Sequence, residues 1–261
     1  TTGLPELIAL VRRTLKKTRH YEPEAVLITS GVSGGLTLAF LALLDPGDEY
    51  LAADPYFVSY KQLGVLAGAR PRWSDTYPTF RLKADRLPRL LSRRTRFLLV
   101  GSPANPTGAT ATQAEIRDLA DFARAHDLPV VSDEIYDAFC FDRPHRSIAS
   151  FYPEGTLLLG GFSKTWGIPG WRVGYAAGPK PLIEAMARIQ QYTFVCAPAP
   201  FQAALAECEG EEPLHAITSY RKRRDLLCHV LHDTYRIVKP GGAFYLFPEV
   251  PAGFKDADAF T

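Results

Sequence analysis

A lysine and an arginine lie close together in a segment rich in glycine and aromatic residues, and both side chains bear on chemistry. Lys164 follows the apolar run 156–159 and a pair of glycines, and Arg172 lies eight residues further on, between Trp171 and Val173. A lysine amine presented in this way can form a Schiff base with an aldehyde. An arginine beside it can hold a phosphate. The segment therefore predicts a site for a small molecule that carries both groups.

An acidic and a phenolic residue come at the end of another apolar run. Asp133 follows the run 128–132, and Tyr136 lies three residues later. A carboxylate at a buried strand end needs a cationic partner. A protonated pyridine nitrogen would serve, and the carboxylate would keep that nitrogen protonated. Tyr136 could reach a phenolic oxygen on the same ring. Taken alone, the pair also fits an acidic helix N-cap with a packed tyrosine.

Three further segments each follow an apolar run of strand length. The glycine-rich segment 31–35 opens a helix, where free backbone N–H groups and the hydroxyl of Ser33 favour a phosphate. Phe57 could stack on a flat ring. Asn105, held extended by the following proline, could point its amide at a ring oxygen. Each segment alone also fits a plain turn or core packing. Their succession along the chain, beside different strands, favours one shared site.

Pyridoxal 5'-phosphate (PLP) combines the groups that these residues could bind. Its ring carries an aldehyde, a phosphate, a pyridine nitrogen and a phenolic oxygen. In an open α/β sheet, ligands bind beyond the carboxyl ends of the strands, so residues that follow different strands meet there. We therefore predict PLP as the cofactor.

The elements that position these residues alternate between strands and helices. Helices are predicted near 34–44, 57–67 and 112–125, the last opened by a capping box. Strands are predicted at 25–29, 50–54, 96–100, 128–132, 156–159 and 172–176. Near-continuous apolar strands separated by helices indicate a mostly parallel sheet that is covered on both faces. The predicted fold class is therefore α/β, in the form of a three-layer α/β/α sandwich.

The pattern changes near the acidic segment 210–213. A long helical pattern follows over 214–231, and the glycine pair that begins 241–247 is predicted to turn into a strand. We predict a large cofactor-binding domain over 1–212 and the start of a smaller α+β domain over 213–261.

Composition and charge exclude several classes of protein. The chain of 261 residues has a formal net charge of +2, so it lacks the field that would attract nucleic acid or an anionic membrane. Its four cysteines are scattered, which predicts reduced thiols and a cytoplasmic location. No apolar run is long enough to span a bilayer, no secretion signal is visible, and no ligands recur at metal spacing. We expect no nucleic acid, membrane or metal partner.

The motifs in combination resemble those of the class I and II aminotransferases, PLP-dependent enzymes of fold type I that include aspartate aminotransferase. The resemblance covers essentially the whole chain, and the combination is specific. It rests on Asn105–Gly108, Ser132–Tyr136, Ser163–Thr165, Gly170–Gly174, Tyr220–Asp225 and Gly241–Phe247.

The resemblance implies roles for eight residues. Three are catalytic, because Lys164 forms the Schiff base, Asp133 pairs with the pyridine nitrogen and Tyr136 bonds the 3-oxygen of the ring. Asn105 bonds the same oxygen, and Phe57 stacks on the ring. The phosphate is held by the N–H of Val32, by Ser33 and by Arg172. The cofactor-binding set is therefore Val32, Ser33, Phe57, Asn105, Asp133, Tyr136, Lys164 and Arg172.

The chain also departs from the family pattern. The position that usually carries a phosphate-binding serine is Gly161 here. The opening residues resemble a segment well inside family members. The arginine that binds the substrate carboxylate normally lies further along than Thr261. We therefore expect the chain to be part of a longer protein.

Transamination is the function that the resemblance implies. An amino group would pass between an L-amino acid and a 2-oxo acid in ping-pong fashion, with the freed Lys164 amine acting as general base and then acid. Family sites lie at a two-fold interface, so a homodimer is expected. Other fold type I enzymes use the same ligands, namely C–S β-lyases, decarboxylases and aminocyclopropane-carboxylate synthases, and an inactive or regulatory PLP-fold module also stays open. Aspartate, aromatic amino acids, alanine and kynurenine remain possible substrates.

Overall fold

Strands and helices alternate through most of the chain, for which a computed structural model describes residues 2–208 and 214–260. The strands are β1 Ala25–Thr29, β2 Glu49–Asp54, β3 Arg70–Asp75, β4 Thr95–Gly101, β5 Val130–Asp133, β6 Thr156–Gly161 and β7 Gly174–Gly178. The helices are α1 Pro5–Arg19, α2 Gly31–Leu43, α3 Val58–Leu66, α4 Gln113–Ala125, α5 Lys180–Tyr192, α6 Ala199–Ala206, α7 Leu214–Leu231 and α8 Ala257–Phe260.

The seven strands form one sheet in the order β1-β7-β6-β5-β4-β2-β3. The neighbours β2–β3, β2–β4, β4–β5 and β5–β6 are parallel, and β7 runs antiparallel to both of its neighbours. The prediction of an α/β fold with a mostly parallel sheet is confirmed.

Alternate side chains of each inner strand enter cores on opposite faces of the sheet. On β4, Phe97 and Leu99 pack in the core that also contains residues of α2, α3 and α5. Leu98 and Val100 point the other way and pack in the core that contains residues of α4. Residues of α1 and α6 share a further core with β1 and β7 on the same side as α4. Helices therefore cover both faces, and the three-layer arrangement is confirmed.

The helix α4 shows how local sequence sets an element. Thr112 accepts a hydrogen bond from the backbone N–H of Glu115, and the Glu115 carboxylate accepts one from the backbone N–H of Thr112. This capping box satisfies N–H groups that have no partner within the helix. The buried residues Ile116, Leu119 and Ala123 recur at helical spacing on one face, as the sequence predicts.

The structure differs from the predicted elements at both edges of the sheet. The edge strand β3 was not predicted, because its sequence Arg-Pro-Arg-Trp-Ser-Asp is polar and contains a proline. Proline is tolerated on an edge strand, because one side of the strand pairs with no neighbour and needs no N–H donor there. The helices α1, α5 and α6 were likewise not predicted, and α2 begins at Gly31 rather than near residue 34.

The predicted strand within 241–247 is wrong. This segment contains a single bridge at Gly242 to Cys140, followed by turns and irregular backbone, and a second bridge joins Pro248 to Ile237. Its backbone groups pair with loops rather than with a neighbouring strand. The long helix predicted at 214–231 is present as α7.

The position of Arg172 also needs correction. The strand predicted at 172–176 begins at Gly174, so Arg172 precedes β7 instead of lying in it. Because β7 is antiparallel to β6, its amino end lies at the edge where β6 ends, with Gly161 paired to Gly174. The connection between the two strands thus returns Arg172 to the edge of the sheet where Lys164 lies. Among the described helices, none is long and apolar enough to cross a membrane.

Candidate active site

The predicted site residues all line one cavity of about 150 Å³ at the carboxyl edge of the parallel strands. The structure therefore brings together all eight side chains or backbone groups that the sequence singled out. They share the cavity wall with a second group that includes Leu36, Tyr60, Pro103, Ile135, Ser163, Pro169 and Tyr245.

Asp133, the last residue of β5, is a buried carboxylate with neutral hydrogen-bond partners. The hydroxyl of Tyr60 donates to its Oδ2 at 2.8 Å, and the backbone N–H of Ile135 donates to its Oδ1 at 3.3 Å. Burial raises the pKa of Asp133 to about 6, although both hydrogen bonds oppose that rise. A cation placed against this carboxylate would restore its ordinary acidity, and the cavity opens onto it.

Tyr60 is a site residue that the sequence analysis missed. It lies on α3, three residues after Phe57, and its ring meets the Phe57 ring edge-on at a centroid distance of 5.5 Å. Burial and the neighbouring Asp133 hold the pKa of its hydroxyl well above the ordinary value, so Tyr60 stays a proton donor. Phe57 is the extended residue just before α3 and Tyr60 lies in the first turn, so a spacing of three brings the two rings together. That spacing was the available signal, but a tyrosine in a helical pattern indicates core packing just as well.

Lys164 projects into the cavity from the loop that follows β6. Its Nζ lies 5.9 Å from the ring centroid of Tyr136 and 5.7 Å from that of Phe244. Two aromatic rings therefore flank the amine, which restricts its motion and favours attack on a group held in front of it.

The Arg172 guanidinium lies against the start of α2. Its Nη1 donates to the carbonyl of Pro169 at 2.9 Å, and its Nη2 lies 3.4 Å from the carbonyl of Ser30. Gly31 adopts φ +66°, and a Cβ there would lie 2.6 Å from Nη2 of Arg172. Only glycine lets the backbone bend in this way while the guanidinium approaches.

The first turn of α2 offers the backbone N–H of Val32 and the exposed hydroxyl of Ser33 beside that guanidinium. Gly174, the first residue of β7, lets the start of α2 lie close to that strand, since a Cβ on Gly174 would lie 2.8 Å from the nitrogen of Val32. A helix start with an adjacent arginine has the donors and positive charge that a phosphate needs.

Position 161, where the family usually has serine, is closely packed. A Cβ on Gly161 would lie 3.2 Å from the Cα of Gly174 and 3.2 Å from Cδ1 of Ile135. Val32 Cγ2 would lie 3.3 Å away. The neighbours have thus closed around the glycine, and a serine would need them to shift by a few tenths of an ångström.

Asn105 and Tyr136 meet at the hydroxyl of Tyr245. Asn105 Nδ2 donates to Tyr245 Oη at 3.1 Å, and the hydroxyls of Tyr136 and Tyr245 are hydrogen-bonded to each other. Burial and the contact with Tyr245 raise the pKa of Tyr136 far above its ordinary value. Tyr245 was not among the predicted site residues, although its segment contributed to the family resemblance.

A second network, also missed from the sequence, surrounds the carboxylate of Glu134 behind the cavity. Its Oε1 accepts hydrogen bonds from Ser147 at 2.6 Å and Ser132 at 2.9 Å. Its Oε2 lies 2.7 Å from His145 Nε2 and 3.6 Å from Arg19 Nε. Burial raises the pKa of Glu134, but His145, Arg19 and Ser147 outweigh burial and lower it. The network ties α1 to the turn that carries Asp133.

The donor set of the cavity fits PLP. A buried carboxylate with neutral partners matches a protonated pyridine nitrogen, and the donors at the start of α2 match a phosphate. Lys164 supplies an amine for the aldehyde, and Phe57 supplies an apolar ring face in the same wall.

Comparisons with known proteins find similar sequences over nearly the whole chain. The family model described as aminotransferase class I and II matches residues 1–260. An aspartate aminotransferase of Pyrococcus abyssi is 37% identical over 262 residues, which cover 95% of this chain and 67% of the relative. An aromatic-amino-acid aminotransferase of Thermococcus litoralis is 36% identical, with coverage of 95% and 67%.

The fold is shared with a solved structure, a double mutant of aspartate aminotransferase from Thermus thermophilus. The TM-score is 0.90 at 36% identity, and the match covers 95% of this chain and 68% of that one. The chain therefore spans about two thirds of the length of the proteins that it matches. The predicted family resemblance and the predicted fold are both confirmed.

Proposed function

Because the chain belongs to the class I and II aminotransferase family, and so is a PLP-dependent enzyme of fold type I, we propose that Lys164 performs its proton transfers. The observation that carries this proposal is the meeting of Lys164, Asp133 and Arg172 in one cavity of about 150 Å³. An amine and a guanidinium from the connection between β6 and β7 come together there with a buried carboxylate from the end of β5.

Asp133 and the start of α2 would hold the cofactor at its two ends. When bound, PLP supplies an electron sink for the electrons released at the substrate Cα. Asp133 would face the pyridine nitrogen and keep its proton in place, because the buried carboxylate has neutral hydrogen-bond partners. The N–H of Val32, the hydroxyl of Ser33 and the guanidinium of Arg172 would hold the phosphate.

The remaining side chains would orient the ring. Phe57 would lie against one face, and Asn105 and Tyr136 would donate hydrogen bonds to the 3-oxygen. Apolar wall residues such as Leu36 and Ile135 reduce access of water, which strengthens each of these electrostatic contacts.

Lys164 would take the proton from the substrate Cα and return one to the cofactor side. This task requires an amine that is unprotonated when it acts as base and stays within reach of both positions. Its place between the rings of Tyr136 and Phe244 suits that task, because the rings confine the amine without ion-pairing to it.

The substrates that we propose are an L-amino acid with an acidic or aromatic side chain and a 2-oxo acid. The support comes from the names of the relatives in Pyrococcus abyssi and Thermococcus litoralis, which act on aspartate and on aromatic amino acids. The Phe244 ring, 38% exposed and next to the Lys164 amine, offers an apolar contact for a substrate side chain.

A homodimer is part of the proposal. The helix α3 carries Val58, Val65 and Leu66 with exposed fractions of 65%, 63% and 64%. Their spacing of seven and eight residues places them on one face, which is the pattern of an apolar contact surface. We assign this face to a second copy of the chain. A Val65→Glu substitution should lower the molar mass measured by light scattering from the dimer to the monomer value, whereas Val238→Glu should not.

A cytoplasmic location and a two-domain organisation are also part of the proposal. All four cysteines are unpaired, which suits the reducing cytoplasm. The division into a domain over 1–212 and a second domain from 213 is supported by α7, which follows the sheet-forming part of the chain. Arg224 on α7 is buried and ion-paired with Asp142, so the two parts contact each other.

The experiment that tests the function begins with the purified protein and added PLP. We expect a visible absorption band, and borohydride reduction followed by peptide mapping should place the label on Lys164. Lys164→Ala should lose both the label and 2-oxo-acid-dependent turnover. The exposed Lys180 provides the matched control, because Lys180→Ala removes the same side chain from the surface.

Two results would contradict the proposal. One is a reduced label that maps to another lysine. The other is full turnover in a folded Lys164→Ala protein. If the label forms on Lys164 but no 2-oxo acid is consumed, screening for elimination and decarboxylation products would identify a different reaction of the same cofactor.

A further inference from the structure

The Tyr245 hydroxyl joins the two side chains that would bind the 3-oxygen of the cofactor. It accepts a hydrogen bond from Asn105 Nδ2 at 3.1 Å and is hydrogen-bonded to the hydroxyl of Tyr136. Tyr245 lies 140 residues after Asn105 and 109 residues after Tyr136 in the sequence. The contact is therefore made by the docking of two distant segments.

Backbone hydrogen bonds and two glycines determine where Tyr245 lies. Gly242 N donates to the carbonyl of Gly108 at 2.9 Å. Ala243 N donates to the carbonyl of Phe139 at 2.8 Å. A Cβ on Gly242 would lie only 2.4 Å from that Phe139 oxygen, so the approach depends on glycine. The segment before Tyr245 is thus held between the Asn105 turn and the Tyr136 turn.

Counting donors gives the hydrogen bonds a direction. The Asn105 amide nitrogen can only donate, so Tyr245 accepts there. A phenolic oxygen has a single proton, and Tyr245 can satisfy its remaining contact by donating it to Tyr136. The proton of Tyr136 is then left to point into the cavity. The chain of donors runs from Asn105 through Tyr245 to Tyr136 and ends where the ring oxygen would lie.

We propose that Tyr245 is a positioning residue that acts through Tyr136, orienting and strengthening the hydrogen bond that Tyr136 donates to the 3-oxygen of the cofactor. The inference rests on the proposed function, since the cofactor supplies the acceptor. Hydrogen bonds in such a chain polarise one another, so a donor that itself accepts a bond donates more strongly.

The effect of these linked hydrogen bonds should be measurable at the Lys164 nitrogen when it is bound to the cofactor. A hydrogen bond donated to the 3-oxygen draws negative charge away from it. The Lys164 nitrogen that is bound to the cofactor then holds its proton less firmly, so the pKa of that nitrogen falls. The titratable and charged groups that line the cavity at this position are Tyr60, Asp133, Tyr136, Lys164, Arg172 and Tyr245 itself.

The test is Tyr245→Phe, which removes one oxygen and keeps the ring contacts with Tyr136 and Phe244. We expect the pKa of the Lys164 nitrogen that is bound to the cofactor to rise by about 0.5 unit, as followed by visible absorbance against pH. A shift of this size corresponds to part of the energy of one hydrogen bond. Tyr235→Phe is the matched control, because it removes the same atom from a tyrosine outside the cavity wall. It should titrate like the wild type.

A double-mutant cycle distinguishes an effect of Tyr245 that passes through Tyr136 from an effect that is independent of Tyr136. Tyr136→Phe should raise the same pKa more than Tyr245→Phe does. In the Tyr136→Phe background, the additional Tyr245→Phe change should have little further effect, because the hydroxyl through which it acts is gone. An equal shift in both backgrounds would overturn the inference.

The outcomes distinguish this inference from the proposed function. If the wild-type protein forms no absorbing bond at Lys164, the proposed function fails and the inference fails with it. If the bond forms and Tyr245→Phe titrates like the wild type, the inference alone is wrong. Far-UV circular dichroism and thermal melting of each variant verify that the proteins compared are folded.

Discussion

Two neighbouring carboxylates, Asp133 and Glu134, lie on opposite sides of the same turn and have opposite surroundings. Both side chains are buried, with residue exposures of 6% and 2%. Asp133 faces the cavity and has two neutral donors, whereas Glu134 faces Arg19, His145 and two serine hydroxyls. Burial raises the pKa of Asp133 to about 6, while these partners lower the pKa of Glu134.

The difference separates a charge that the fold itself compensates from one that it leaves for the proposed cofactor. The partners of Glu134 are all supplied by the protein, so its charge is compensated once the chain folds. Among the residues that the structure describes, the hydrogen-bond partners of Asp133 are neutral, so its compensation would come from the proposed cofactor. A buried charge that the fold does not neutralise is costly, and such groups concentrate at functional sites.

The substitution with the largest expected effect on this comparison is Asp133→Asn. Loss of the carboxylate removes the group that would keep the pyridine nitrogen protonated, so we expect kcat to fall by about 10²–10³-fold, as for loss of one key electrostatic contact. Affinity for PLP, measured by equilibrium titration, should fall much less. Nearly normal turnover would remove Asp133 from the pyridine nitrogen.

The next test is Glu134→Gln, which should reduce stability instead of chemistry. The change removes the charged acceptor from a buried network with Ser132, Ser147 and His145, which should cost about 1–3 kcal/mol in the free energy of unfolding, measured with urea. Arg19 keeps its ion pair with Asp137 in this variant. Glu154→Gln, which alters an exposed pair with Arg124, should cost at most about 1 kcal/mol. If Glu134→Gln lowered kcat while leaving stability intact, the assignment of the two carboxylates would be reversed.

The pH dependence of stability without added PLP should distinguish the two residues by sign. The folded pKa of Asp133 is raised to about 6, so its protonated form stabilises the fold at low pH and that contribution is lost as the pH rises through about 6. Asp133→Asn should therefore gain stability relative to the wild type between about pH 4 and 6, by about 1–3 kcal/mol.

Glu134 should behave in the opposite way. Its folded pKa is lowered, so its contribution is present above its ordinary value of about 4.3 and is lost as the pH falls through the folded value. The stability advantage of the wild type over Glu134→Gln should shrink below about pH 4. Parallel pH profiles for the two variants, measured by chemical unfolding, would refute the comparison.

The smallest expected effect is that of Tyr60→Phe. This change removes the hydroxyl donor to Asp133 and keeps the edge contact with Phe57. Loss of one hydrogen bond to a carboxylate should raise the pKa of Asp133 further and lower kcat/KM by about 5-fold. The acidic limb of the pH–rate profile should move to higher pH, which a purely structural role would not produce. Tyr152→Phe serves as a control outside the cavity wall.

The site residues that directly follow strands could be predicted from the sequence. Asp133, Lys164 and Asn105 each come just after an apolar run, and the ends of parallel strands meet at one edge of the sheet. Local pattern and one general rule of topology were sufficient there. The same rule gave the fold class, because strands and helices alternate regularly.

The supporting residues could not be predicted, because their roles depend on contacts between distant segments. Tyr245 reaches Asn105 through the docking of irregular backbone, and Arg19 reaches Glu134 across more than a hundred residues. The antiparallel direction of β7 also escaped, since an apolar run carries no sign of its direction. Such features follow from packing in three dimensions, where hydrophobic periodicity gives no guide.

The composition of the edge strand β3 has a consequence for how the sheet meets other chains. An unprotected edge offers unpaired backbone groups to any extended segment, which is a route to aggregation. On β3, Arg70 and Arg72 are exposed and Pro71 has no N–H to donate. At the opposite edge, the carbonyl of Thr2 accepts the N–H of Ile28 at 2.8 Å. Charge and proline on one side, and the chain's own backbone on the other, discourage a foreign strand from extending the sheet.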